Sequence, residues 1–362
     1  MEHLHTLPQP WTLDDELKRV RAWQSLGVDD VIDVSMPWSM SSEVTYRDTS
    51  LIPGGNAGDA EYPVMLREYI TPAGTLRHAV KKTGEEQGPG WVVQPDTVPL
   101  IEDFNIPRAT MHAVSSPEDI AKIRFLYMRP GEEEKNWFKK RMSDISEKKG
   151  REVAVQAWSA FGMDAAVWFC GAEGAVFMAM DYPDQFGKLM NLIAETDYAR
   201  TELACSSPEI DIVVQRGWYS STDFWSPSLF NRYVFPHLKE CASLAHDHGK
   251  KYGYVMTTGV ETLGGRLIDA GVDLLYFADP VQDGLSLKRA AELTKRGMTV
   301  VGGTNAVSLA SRNKKQIERE IERAVEVLSP TNRFILHPVD AVFPDTPWES
   351  IEVMIDCWKR CW

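Results

Sequence analysis

The chain predicts an α/β fold, a (β/α)8 TIM barrel carrying an irregular, partly β N-terminal extension. Three features of the sequence point there. From about residue 150 to residue 362, six short apolar segments alternate with helical patterns, the rhythm of a parallel sheet. The segments are nearly continuous in apolar residues, as strands covered on both faces are. Several also end in a glycine turn that opens a helix, as in Gly249–Gly259, the place where an α/β barrel keeps its chemistry. An open doubly wound sheet is the competing architecture. Against it, there is no GxGxxG after an early strand and no GxxxxGK[ST] anywhere.

Residues 1–120 read as the extension and 121–362 as the barrel. Within the extension a helix is expected over Leu13–Leu26 and a strand over Val31–Met36. Pro37–Pro63 is rich in Ser, Gly and Pro, including Pro53-Gly-Gly-Asn56, and favours turns. Glu68–Arg77 reads as an extended segment broken at Pro72, and Gly88-Pro-Gly90 as another turn. Ser116 followed by Pro117 and two acids is a helix start.

The repeating part has strands at Val153–Trp158, Ile210–Gln215, within Gly249–Gly259, and at Val272–Ala278, Arg296–Gly303 and Arg333–His337. A helix opening at Ser226 has an apolar face of Phe230, Val234, Leu238, Cys241 and Leu244, with a kink expected at Pro236. Ile317, Ile321, Ala324 and Leu328 form one face of another helix. The last helix opens with Thr346-Pro-Trp-Glu349, and its expected buried face is Trp348, Ile351, Ile355 and Trp358.

The net charge of −13 argues against nucleic acid and anionic membranes as partners. The N-terminus lacks a basic-then-apolar leader, and no uncharged apolar run reaches the span of a bilayer. Five dispersed cysteines without a CxxC pair read as reduced thiols, mostly buried, so a cytoplasmic location is expected.

Collecting the strand ends gives a pocket-lining set that is aromatic and polar: Gln156, Trp158, Phe161, Gln215, Arg216, Trp218, Tyr219, Asp223, Met256, Thr258, Asp279, Asp283, Asn305, His337 and Asp340. Such a set suits a flat, partly apolar small molecule. His337 with Asp340 three residues on is the best acid/base pair, although a histidine capping a loop carbonyl reads the same way. Asp279 is a candidate catalytic carboxylate or a helix cap. Arg216 would hold an anion or pair with a loop acid. The tryptophans would wall a ligand or fill the core. His237, His246 and His248 lie at the other end of their strands and are set aside.

Ser226-Pro-Ser-Leu-Phe230, Phe235-Pro-His-Leu-Lys239, the strand ending at Gly259, Ala270-Gly-Val-Asp273, Gly303-Thr-Asn305 and Asp345-Thr-Pro-Trp-Glu-Ser350 stand in one order. Together with Thr71–Arg77 they resemble the uroporphyrinogen decarboxylase superfamily over about residues 65–362. The resemblance implies the (β/α)8 barrel. The Arg-rich N-terminal segment that clamps porphyrinogen carboxylates has no counterpart, since residues 30–60 hold one arginine, Arg47. The corrinoid-dependent methyltransferase branch is the more similar. Its thiol-activating members carry His-x-Cys-Gly where this chain has Met256-Thr-Thr258-Gly259, so zinc is not expected.

The resemblance then implies a methyltransferase that moves a methyl group from a small methoxylated aromatic to the cobalt of cobalamin, a corrinoid carried by a partner protein. His337, oriented by Asp340, would be the general acid, and Trp158, Trp218 and Tyr219 would hold the ring. Methyltetrahydrofolate as donor, contacting Asp279 and Asn305, and decarboxylation of a small acid are the alternatives, as is a noncatalytic ligand-binding barrel. A homodimer is the assembly allowed for.

Overall fold

A computed structural model describes residues 5–7, 11–51, 63–82, 97–101, 108–150, 153–339, 342 and 345–361. The turns expected at 53–56 and 88–90 lie outside these residues. The chain divides into two compact units, Met1–Asp211 and Ile212–Trp362.

In the first unit the helix Leu13–Ser25 starts at Thr12, whose hydroxyl accepts from Asp15 N, with three acids in the first turn to complement the helix dipole. Strand β1 (Val31–Ser35) follows. Strands β2 (Thr45–Leu51), β3 (Val64–Thr71), β4 (Gly74–Lys81) and β5 (Ala109–Met111) make an antiparallel sheet in chain order. The segment expected to break at Pro72 is the β3–β4 hairpin. Thr71 turns the corner there, its hydroxyl donating to Gly74 O at 2.7 Å and accepting from Ala73 N.

Strand β6 (Ala154–Ala160) pairs in parallel with β1, with Asp33 opposite Gln156 and Ser35 opposite Trp158. One face of β1 is fully buried through Ile32 and Val34. Beneath the strand ends lies a buried Arg200, which donates to Met36 O at 2.7 Å and pairs with Asp197 at 3.3 Å. Asp197 in turn accepts from the backbone N–H groups of Phe161 and Gly162. This network satisfies the backbone where β6 turns into the helix Met163–Cys170.

The second unit is a run of βα repeats. Strands β7 (Ile212–Gln215), β8 (Lys251–Val255), β9 (Leu274–Ala278), β10 (Thr299–Gly303) and β11 (Phe334–His337) are parallel and adjacent in chain order. All five residues of β9 and the last four of β8 and β10 are buried, which is why these segments read as apolar runs. Gly253 is needed in β8 because a Cβ there would fall 2.6 Å from the ring of Tyr276.

Side-chain caps open the helices, at Ser226 as expected and at two further positions. Ser226, Ser286 and Asn313 each accept from the backbone N–H three residues on. The helix opening at Ser226 is two helices, Pro227–Tyr233 and Phe235–Asp247, parted at Val234. Pro236 sits in the first turn of the second, where its missing N–H has no intrahelical partner to lose.

Ile317, Ile321, Ala324 and Leu328 are buried as expected. The last helix, Trp348–Cys361, is rotated from expectation. It buries Ser350, Ile351, Met354 and Cys357, while Trp348 is 50% exposed. Trp348 instead bonds Glu352 through its indole N–H. Indole size misled the reading, because an aromatic at a helix start covers surface as readily as core.

Among the described residues no single helix is long and apolar enough to cross a membrane.

Candidate active site

In the second unit the carboxyl ends of the parallel strands bring four groups into one row. Arg216, one residue past β7, lays its guanidinium carbon 4.3 Å over the ring of Trp218. Trp218 and Phe277 have ring centroids 5.9 Å apart. Phe277 and His337, at the end of β11, follow at 5.3 Å with planes inclined by 38°. Each step lies within the range of favourable ring contacts.

Phe277 is the hinge of this row. It occupies the left-handed region with φ 68°, inside a strand and 8% exposed. The β9–β10 register slips here, pairing Tyr276 with Val301 and Ala278 with Gly302, so Phe277 is the extra residue of a bulge. An aromatic side chain in that backbone region costs on the order of 1–3 kcal/mol, a strain found mostly at functional sites. The bulge needs Gly302 opposite, since a Cβ there would fall 2.8 Å from Ala278 N.

His337 Nδ1 is bonded to the carbonyl of Pro338, and its own carbonyl accepts from Thr304 Oγ1 at 3.0 Å. A donating Nδ1–H leaves Nε2 as the nitrogen that gains or loses a proton. Asp340 lies outside the described residues.

Asp279 and Asn305 form a second, buried constellation. Asp279 is 0% exposed. Its Oδ1 accepts from Val281 N and Gln282 N at 2.7 and 2.9 Å, and its Oδ2 from Asn305 Nδ2 at 2.6 Å. Asn305 Oδ1 caps the next helix through Val307 N and Ser308 N. This pair holds the loops after β9 and β10, the first just past Phe277 and the second carrying Thr304.

The turn after β8 is held by acids. Asp283 accepts from Gly259 N and Val260 N, at the start of the helix Val260–Ala270. Burial pushes its carboxyl up to about 6, against those two donors and with the charges of Asp223 and Asp279 adding to the rise. Thr258 donates to Asp223 at 2.7 Å. Met256 is fully buried, its N–H on Tyr276 O. The Met256 and Thr258 side chains supply no thiolate or imidazole where a thiol-activating zinc site would stand. Among the described residues no group of three His, Cys, Asp or Glu is placed to hold a metal.

Of the remaining candidates, Gln215 accepts from Tyr252 OH at 2.6 Å, and Tyr219 packs edge-on against Phe224. Trp225 is core. His246 pairs with Asp273 at 2.7 Å ahead of β9, at the amino end of the strands. Gln156 and Trp158 belong to the first unit, where both donate to Asp33 Oδ1, at 2.7 and 2.8 Å.

Sequence reasoning missed Phe277 and Asp33. Nothing in Leu274–Ala278 marks a left-handed phenylalanine. Asp33 was visible as one acid inside the apolar run Val31–Val34, a signal in its own right.

A family model described as uroporphyrinogen decarboxylase (URO-D) matches residues 101–361. The chain belongs to this family. Among solved structures, a methyltransferase from Methanosarcina mazei aligns at 16% identity with a TM-score of 0.53, covering 70% of this chain and 71% of that one. At that identity the likeness is one of fold. The 3-keto-D-glucoside 4-epimerase YcjR from E. coli aligns at 11% identity and a TM-score of 0.31, over 70% of this chain and 95% of that one. No curated protein matches the chain.

Proposed function

We propose that this URO-D family member is a methyltransferase that takes the methyl group of a small methoxylated aromatic and passes it to the cobalt of a corrinoid carried by a partner protein. The parallel strands would belong to a (β/α)8 barrel, with residues 1–120 largely an extension upon it. The observation that carries the reading is the row Trp218, Phe277 and His337, with Phe277 held in a strained bulge to complete it. Family membership and the fold shared with the Methanosarcina mazei methyltransferase support it.

Reduced cobalt, when the corrinoid protein is bound, supplies the electron pair that attacks the methyl carbon. The O–CH3 bond breaks with its pair staying on oxygen. A phenolate has a conjugate-acid pKa of about 10, so proton delivery to that oxygen lowers the barrier. His337, protonated at Nε2, donates this proton, while its Nδ1–H stays on Pro338 O. Trp218 and Phe277 stack the substrate ring and keep water from the departing oxygen. Arg216, lying over Trp218, places positive charge beside the oxygen as negative charge grows there.

The test is a spectrum of reduced cobalamin mixed with the protein and guaiacol, with methyltetrahydrofolate and trimethylamine in parallel. The expected result is methylation of cobalt and release of catechol with guaiacol alone, lost by 10²-fold or more in His337→Gln. Turnover with another donor, or wild-type rates in His337→Gln, would overturn the assignment.

A further inference from the structure

On the paired strands of the first unit, Asp33 stands opposite Gln156 and Ser35 opposite Trp158. Alternation along β1 sends Ile32 and Val34 to the buried face and puts Asp33 and Ser35 together on the other, roughly 7 Å apart along the strand. Two neutral donors, the Gln156 amide and the Trp158 indole, converge on Asp33 Oδ1. Asp33 keeps some exposure, and among the described residues nothing donates to its Oδ2. Ser35 is 3% exposed, and its Oγ has no hydrogen-bond partner among the described residues.

Those facts do not fit a packing role. A carboxylate held only by neutral groups and partly withdrawn from water is costly, and a buried hydroxyl without a partner is costly too. Among the described residues no guanidinium or ammonium is bonded to Asp33; the nearby Arg19 is bonded to Asp30 at 2.7 Å. Burial accordingly raises the proton affinity of Asp33. A group left in this state calls for an explanation, and a ligand that brings a proton-bearing atom to the open oxygen supplies one.

We propose that Asp33 and Ser35 form a recognition site for a hydrogen-bond donor, a hydroxyl or an ammonium, on a small organic molecule. Asp33 Oδ2 accepts from the donor atom and Ser35 Oγ bonds the same molecule. The indole and amide hold Oδ1 so that the second oxygen is presented in a fixed orientation. Asp33 and Ser35 lie outside the stretch matched by the family model, and the test below needs no methyl transfer.

The experiment is calorimetric titration of the full chain with catechol, benzylamine and acetophenone, without any corrinoid. Catechol brings a neutral donor, benzylamine a charged one and acetophenone only an acceptor. Wild-type protein is expected to bind catechol or benzylamine, and which of them names the donor. Asp33→Asn keeps an oxygen for Gln156 and Trp158 but replaces Oδ2 by a donor. It should weaken the bound probe by about tenfold or more and favour acetophenone instead. Ser35→Ala removes one atom and should weaken the same probe about threefold, a test that stands if Asp33→Asn does not fold. Absence of binding by both donor probes, or equal affinity in wild type and the folded variants, would overturn the proposal.

Discussion

The imidazole of His337 rests against the ring of Phe277, with centroids 5.3 Å apart, and Phe277 reaches it only because its backbone is left-handed within β9. A right-handed or extended residue would continue the alternation of the strand and aim its side chain elsewhere. The bulge therefore sets where the ring stands.

Strain at Phe277 predicts an inverted ranking of small substitutions. Elsewhere in a strand glycine is less stable than alanine by roughly 0.5–1 kcal/mol. At this position Phe277→Gly should be more stable than Phe277→Ala by about 1 kcal/mol, since only glycine takes positive φ without cost. Both should be less stable than wild type by a few kcal/mol through loss of the buried ring, roughly 2–4. Urea unfolding of the three proteins decides it, and alanine ranking above glycine would contradict the bulge.

Gly302→Ala tests the same bulge from β10. The added methyl would meet the backbone of Ala278 rather than a movable side chain, at a φ of 145°. The expected loss is at least about 1–3 kcal/mol. Its turnover should fall together with that of Phe277→Gly, because one displaces and the other removes the ring beside His337.

Asp279 and Asn305 should behave as one unit. Removing either leaves the other buried with an unmet partner, at about 1–3 kcal/mol each. A double-mutant cycle of Asp279→Ala and Asn305→Ala should return a coupling energy of at least about 1 kcal/mol. Additive losses would mean that the 2.6 Å contact contributes nothing.

Asp283 makes a prediction in pH. Its carboxyl is raised to about 6 in the folded protein by burial, above the ordinary value of 3.8. The native state therefore holds a proton that the unfolded chain has already released. The stability this contributes is fully present below about pH 4 and is lost as pH rises through about 6. The difference in unfolding free energy between wild type and Asp283→Ala should shrink across that window. A difference that stays flat or grows would show Asp283 to be an ordinary ionised cap.

Much of the fold was legible before any coordinates. Apolar runs, glycine turns and Ser or Asn caps are local signals, and β7 to β11 with their helices fall where those signals put them. The last helix differs from expectation because a face is set by what packs on it, and the side chains it buries are Ser350, Ile351, Met354 and Cys357, with Trp348 half exposed.

The site divides along the same line. The sequence by itself determined the family and the strand ends, and so placed His337, Trp218, Arg216 and Asn305 at or just past strand ends, because strand periodicity is written in residue order. Only tertiary structure decided that Asp279 is occupied by Asn305 and two backbone donors, that Phe277 stands between Trp218 and His337, and that Asp33 meets Gln156 and Trp158. Those relations depend on register between strands distant in the chain and on one backbone torsion. Neither is encoded in any local run of residue types.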